Sequence, residues 1–328
     1  MQRRVGTAGL RLAVLLLAAL AASSAQAQTF TTLYSFEGAS GEYPVAGLAV
    51  DAAGNLYGTT QQGGAHGLGT LFKVDNTGKE TVLHSFKGGK SDGAFPGAGL
   101  IIDKNGVVYG TTTLGGASNL GTVFEIKTTA SLLYSFTGKD GAYPVAGLVA
   151  DRAGNVYGTT QQGGSHGYGT VFKLSSAGKE TVLHSFAGVP DGVYPSAGLI
   201  RDAKGNLYGT TQLGGGASQN DGTVFKVDAA GKETVLYRFT YANGDGAYPI
   251  GGVVRDGAGN LYGTASDGGA NGVGIVFKLD KTGKETVLYS FGTNKGDGIY
   301  PFAGLVRGAN GNLYGTAELG GAKPRRGV

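Results

Sequence analysis

Short apolar runs of five or six residues recur along most of this chain, separated by glycine-rich polar stretches. In residues 146–186 the runs fall at 146–150, 155–159, 169–174 and 181–186. Within the third, Val171 and Lys173 alternate with Phe172 and Leu174, so one face is apolar and the other mixed, which is the period of a β-strand. Asp151, Arg152, Ala153 and Gly154 join the first pair of runs, and Ser175 to Lys179 join the third to the fourth. Each linker carries a glycine able to take the positive φ of a tight hairpin. The unit therefore predicts four antiparallel strands. No apolar pattern of helical period appears outside the first two dozen or so residues.

The unit repeats. A Tyr-Gly-Thr triplet begins at Tyr57, Tyr109, Tyr157, Tyr208, Tyr262 and Tyr314, in steps of 48 to 54 residues. An aromatic-Pro pair keeps step with it, at Tyr43, Phe95, Tyr143, Tyr194, Tyr248 and Tyr300. Six copies of a four-stranded unit of this length predict an all-β chain, a β-propeller of six blades. The strands are lettered A to D from the axis outward. In such a meander the A–B and C–D turns lie on one face, and the longer B–C and D–A loops share the other. The A run is rich in Ala and Gly, as crowding at an axis requires.

Taken in order, 31–36 reads as a D strand with no A, B or C before it. Full cycles follow, and the last copy offers only A (303–306) and B (312–316). Six blades of four need 24 strands and the sequence offers 23, the last C strand being the one not found. The closing blade is predicted to be incomplete, with a second chain as one source of the strand.

Three arginines precede an apolar run at 12–22, and Ala25-Gln26-Ala27 fits a small-x-small cleavage site. Residues 1–27 read as a secretory signal peptide, 28–322 as the repeats and 323–328 as a short basic tail. The 27 basic residues fall to 21 once leader and tail are set aside, against 23 acidic ones. The basic pI therefore marks the two ends and no nucleic-acid surface. With no cysteine, the chain has neither disulfide nor thiolate chemistry. The apolar run is short for a membrane span and none follows it, so the expected location is periplasmic or extracellular.

The segment from Gly47 to Gly58, Gly-Leu-x-x-Asp-x-x-Gly-Asn-Leu-Tyr-Gly, resembles the start of an NHL-type propeller blade. The fuller pattern adds the Gly-Gly pairs (Gly63-Gly64, Gly163-Gly164), Gly-Thr-Val-Phe-Lys at Gly169 to Lys173, and the Leu-(His/Tyr)-Ser-Phe strand. It is similar to the GloVer tandem repeat of choice-of-anchor exported bacterial proteins. That resemblance implies export and a repeat architecture rather than an activity.

Candidate chemistry lies in the loops. The Asp-Gly-x-aromatic-Pro loop places Asp140, Asp191, Asp245 and Asp297 beside Tyr143, Tyr194, Tyr248 and Tyr300. Carboxylates and stacking rings there would suit sugar hydroxyls or a divalent cation. The structural alternative is a turn in which Asp bonds its own backbone, Gly takes positive φ and Pro sets the direction of strand A. The B–C loops vary most between copies and carry Gln61, Gln62, His66, Gln161, Gln162 and His166, again suited to carbohydrate. His84 and His184 stand where other copies have Tyr and read as structural. The Asp-x-x-Gly-Asn turns lack the ligand run of a calcium loop. No catalytic residue, dedicated metal site or cofactor is predicted. A binding or scaffold module at the bacterial envelope, taking glycan or polysaccharide, is the expected role. The rival readings are a lactonase- or lyase-like enzyme with an axial metal, and a purely structural surface protein.

Overall fold

The structure, a computed structural model, describes residues 31–127, 129–216 and 220–321. The proposed leader and basic tail lie outside the described residues. From Tyr34 onward the chain forms one compact unit. Five four-stranded antiparallel sheets follow in chain order, each in the spatial order A-B-C-D. In blade 3 these strands are Val149–Ala150, Val156–Thr160, Thr170–Leu174 and Glu180–Ser185. The chain is an all-β propeller whose closing blade is incomplete among the described residues: the sheet of blade 6 there is Val306–Arg307 paired with Leu313–Tyr314.

The Tyr-Gly-Thr triplet is explained residue by residue. The Tyr157 hydroxyl donates to Asp151 in the A–B turn at 2.9 Å, and Tyr208 and Tyr262 do the same to Asp202 and Asp256. Gly158 leaves room for a ring, because a Cβ there would lie 2.8 Å from Phe172 of the C strand and 2.7 Å from Leu148. Thr159 Oγ1 donates to the Ala197 carbonyl of the next blade at 3.2 Å, and Thr210 and Thr264 repeat this to Gly251 and Ala303. One residue thus braces the turn, one admits the core phenylalanine and one ties the blade to its neighbour.

The core lies between blades rather than within them. The phenylalanine that follows each D strand packs on the C-strand phenylalanine of the next blade. Phe86 meets Phe124 at 5.2 Å between ring centroids, and Phe136–Phe172, Phe186–Phe225 and Phe239–Phe277 each stand at 5.1 Å. Such tilted aromatic pairs add to the burial of their large apolar area. Near the axis a glycine of each A run faces the backbone of the preceding one. A Cβ on Gly147 would sit 3.3 Å from the Gly99 carbonyl oxygen, and one on Gly304 would sit 3.1 Å from that of Gly252. The series stops there, since a Cβ on Gly47 would meet nothing within 4 Å.

The structure corrects three boundaries. The A strands pair over two residues rather than five, because glycine backbones crowding one another leave little length for a ladder. The last B strand pairs over Leu313–Tyr314 rather than 312–316. Residues 31–36 form no strand, and the described residues of blade 6 offer no C strand to pair with them; even so, Phe36 lies 4.6 Å from Phe72, where the phenylalanine of a preceding blade belongs.

Candidate functional site

The D–A and B–C loops do share a face, and the backbone shows why. Gly93–Ala94 pairs antiparallel with Leu114–Gly115, Gly246–Ala247 with Asp267–Gly268, and Gly298–Ile299 with Leu319–Gly320. Single bridges do the same work between Glu42 and Gln62, Ala142 and Gln162, and Val193 and Leu213. Each blade so carries a small ladder between its two loops.

From Phe95 onward, the aromatic of each aromatic-Pro pair pins these loops to the preceding blade. Tyr143 N–H donates to the Leu120 carbonyl of blade 2 at 2.8 Å, and its own carbonyl accepts from Gln161 N–H at 3.0 Å. All six aromatics, from Tyr43 to Tyr300, take a left-handed backbone with φ between 54° and 58°. The positive φ expected of the preceding glycine is found at Gly41 (119°) and Gly141 (136°) but not at Gly93, Gly192, Gly246 or Gly298, so the left-handed residue common to all six loops is the aromatic. Gly192 is glycine for another reason: a Cβ there would lie 2.4 Å from the side chain of Thr211. A left-handed non-glycine residue costs roughly 1–2 kcal/mol, and the two backbone bonds offset it. Tyr143, Tyr194, Tyr248 and Tyr300 are half-buried in consequence.

The B–C loop side chains divide into two groups. Gln61 and Gln161 turn toward the next blade; Gln161 Nε2 donates to Ser196 Oγ at 3.2 Å. Gln62, His66, Gln162 and His166 are exposed. His166 Nδ1 lies 3.0 Å from Ser165 Oγ, and Tyr168, which the sequence reading passed over, is also exposed. Blade 3 therefore gathers Gln162, Ser165, His166 and Tyr168 on one loop.

The aspartates sit elsewhere, beside the outermost strand. Asp191 accepts from Ala187 N–H at 2.9 Å and faces His184 Nε2 at 3.0 Å. Asp245 accepts from the Tyr237 hydroxyl and from Thr240 and Gly246 N–H, while Tyr134 and Tyr289 donate to Asp140 and Asp297. His84 faces Asp92 in the same way, so His and Tyr exchange here because each can donate to the same carboxylate.

A glutamate from the next blade's D strand completes these clusters, and sequence reading missed it. Its signal was the recurring Gly-Lys-Glu-Thr, whose glutamate falls between the turn at 175–179 and the run at 181–186. Burial, and then the facing Asp140, pushes Glu180 up to about 7. Burial and Asp191 do the same for Glu233, and burial and Asp245 for Glu285, each to about 7. One carboxylate oxygen of each glutamate is buried without a hydrogen-bond partner. The ligand atoms of His184, Asp191 and Glu233 lie within 4.8 Å of one another, and among the described residues this grouping could hold a cation.

The family model described as the Gloeobacter/Verrucomicrobia repeat matches residues 20–152 and 121–327. No curated protein matches. Solved structures that match include a gluconolactonase from Xanthomonas campestris, at 17% identity and TM-score 0.41, over 66% of this chain and 67% of that one. A putative gluconolactonase matches at 16% identity and TM-score 0.42, over 76% and 78%. A putative oxidoreductase (glucose dehydrogenase) from Thermus thermophilus matches at 15% identity and TM-score 0.44, over 85% and 92%.

Proposed function

The chain belongs to the Gloeobacter/Verrucomicrobia repeat family, and on that footing we propose that it is an exported binding module. In this reading it takes polysaccharide at the bacterial envelope through the face of its B–C and D–A loops. The observation that supports this is the blade 3 loop, where Gln162, Ser165, His166 and Tyr168 stand together and the first three offer amide, hydroxyl and imidazole hydrogen-bonding groups. Their backbone is held by the ladder beneath, so little ordering is left to be lost on binding. Amide and hydroxyl groups match sugar hydroxyls as both donors and acceptors, and an exposed Tyr ring offers a stacking surface. Blade 1 repeats the pattern with Gln62 and His66.

The rival reading, a metal-dependent enzyme with an axial site, gains nothing from His184, Asp191 and Glu233, which belong to the outer strands and the loop beside them. The test is a polysaccharide panel against residues 28–328 with a heat-unfolded control. Binding that is lost on unfolding, and reduced by Gln162→Ala and Tyr168→Ala, is expected. Absence of binding across a broad panel overturns the proposal and leaves the purely structural reading.

A further inference from the structure

Blade 6 holds a strand-shaped slot whose preferred occupant can be read from the five complete blades. A cavity of about 540 Å³ is lined by Val276 and Phe291 of blade 5 and by Leu305, Gly315 and Ala317 of blade 6, among others. In blades 1 to 5 the corresponding space holds the C-strand phenylalanine. A Cβ on Gly58, Gly110, Gly158, Gly209 or Gly263 would strike that ring, whereas a Cβ on Gly315 would meet only Leu305. Phe86, Phe136, Phe186 and Phe239 are at most 1% exposed, yet Phe291, which lacks the next blade's ring, is only half-buried. Exposed apolar side chains cluster on the same blade: Phe302, Val306, Tyr314 and Leu319.

Two further positions narrow the occupant. In blades 1 to 4 the B strand ends in a threonine whose hydroxyl bonds the first threonine of the C strand, as Thr160 does to Thr170 at 2.8 Å. In blade 5 both change together, and Ala265 stands opposite Ile275. Gly246 is packed against both of them. Gly298, its counterpart in blade 6, has Ala317 close beside it, and the Leu319 carbonyl oxygen and Phe291 Cε1 only at 3.8 and 3.9 Å. Ala317 therefore favours isoleucine over threonine, since a threonine there would lose its hydroxyl partner on the B strand and keep only a loop carbonyl of the kind Thr170 reaches at Asp140. The lysine that follows the phenylalanine lies over the B-strand tyrosine in blades 1 and 3, Lys73 on Tyr57 at 5.7 Å and Lys173 on Tyr157 at 5.8 Å. Tyr314 is uncovered, at 57% exposure.

We propose that this slot binds an extended segment of the type Gly-Ile-Val-Phe-Lys-Leu, presented by another polypeptide. The segment adds antiparallel to Leu313–Tyr314 and extends the ladder toward Ala317. Its phenylalanine lies over Gly315 against Phe291, its isoleucine beside Ala317 and its lysine over Tyr314. Main-chain pairing supplies affinity and the side-chain pockets supply the choice of sequence.

The test uses a fluorescein-labelled peptide with the sequence of residues 272–280, titrated against the purified chain by anisotropy. Saturable binding at one site per chain is expected. Phe277→Ala in the peptide should weaken it at least about tenfold, from the lost burial of one ring. Gly315→Val in the protein should also weaken it, by filling the slot. Ala317→Thr gives a second variant that keeps the slot open, and it should reverse the preference between the parent peptide and its Ile275→Thr form. No saturable binding overturns the proposal. So does equal binding of the Phe277→Ala peptide, or a preference that Ala317→Thr leaves unchanged.

Discussion

The ring of Phe186 lies 5.1 Å from that of Phe225 at an interplanar angle of 71°, joining the end of blade 3 to the middle of blade 4. Both rings are fully buried. Phe186→Ala should therefore destabilise the chain by about 3–5 kcal/mol, the usual cost of removing a core phenylalanine. Phe291→Ala, at the half-open seam, should cost markedly less. Denaturant unfolding of the two variants checks the contrast, and equal losses would contradict packing that weakens at blade 6.

Glycines inside the triplets provide a second contrast. Gly158→Ala places a methyl group 2.8 Å from the Phe172 ring and 2.7 Å from Leu148, inside a filled core. The cost should be about 1–3 kcal/mol of overpacking. Gly315→Ala meets only the end of Leu305, and its effect should stay within about 0.5 kcal/mol. Thermal unfolding of both variants is the measurement.

The buried glutamates predict a pH dependence. Burial and the facing aspartates hold Glu180, Glu233 and Glu285 at about 7 in the folded chain, against about 4.3 when unfolded. The folded chain therefore binds these protons more tightly. Their stabilising contribution is fully present below the unfolded value and is lost as pH rises from about 4.3 to about 7. Tm should fall across that window, and Glu→Gln at all three positions should flatten the fall. A Tm that rises through the window would contradict the assignment.

The outer clusters predict which exchanges the chain tolerates. His184→Tyr should be nearly neutral, because Tyr134 and Tyr237 already make the equivalent bond to Asp140 and Asp245. His184→Ala removes the side-chain partner of Asp191, leaving the Ala187 N–H, and should cost about 1–3 kcal/mol. Chemical denaturation of the pair tests this.

Much of this architecture was legible because the repeat is written in side-chain chemistry. The alternation at Val171 to Leu174, the turn glycines and the Tyr-Gly-Thr spacing give strands, blades and the incomplete closure directly. The shared loop face also followed, from strand polarity. What was not legible depends on contacts between blades. The left-handed φ of Tyr143 comes from bonds to two neighbours that no local propensity encodes. Glu233 gains its setting only when blade 4 lies against His184 and Asp191 of blade 3. Tyr168 looked like one more variable loop residue until the loop was seen to present it.

Amide hydrogen exchange on the free chain most directly tests the claim that the blades are locked together through the fifth and left open at the sixth. The C strands Thr170–Leu174 and Thr223–Val227 should show the slowest exchange, and Leu313–Tyr314 should exchange orders of magnitude faster. Protection of Leu313–Tyr314 equal to that of the inner blades would mean that the last seam is closed, and would contradict the account.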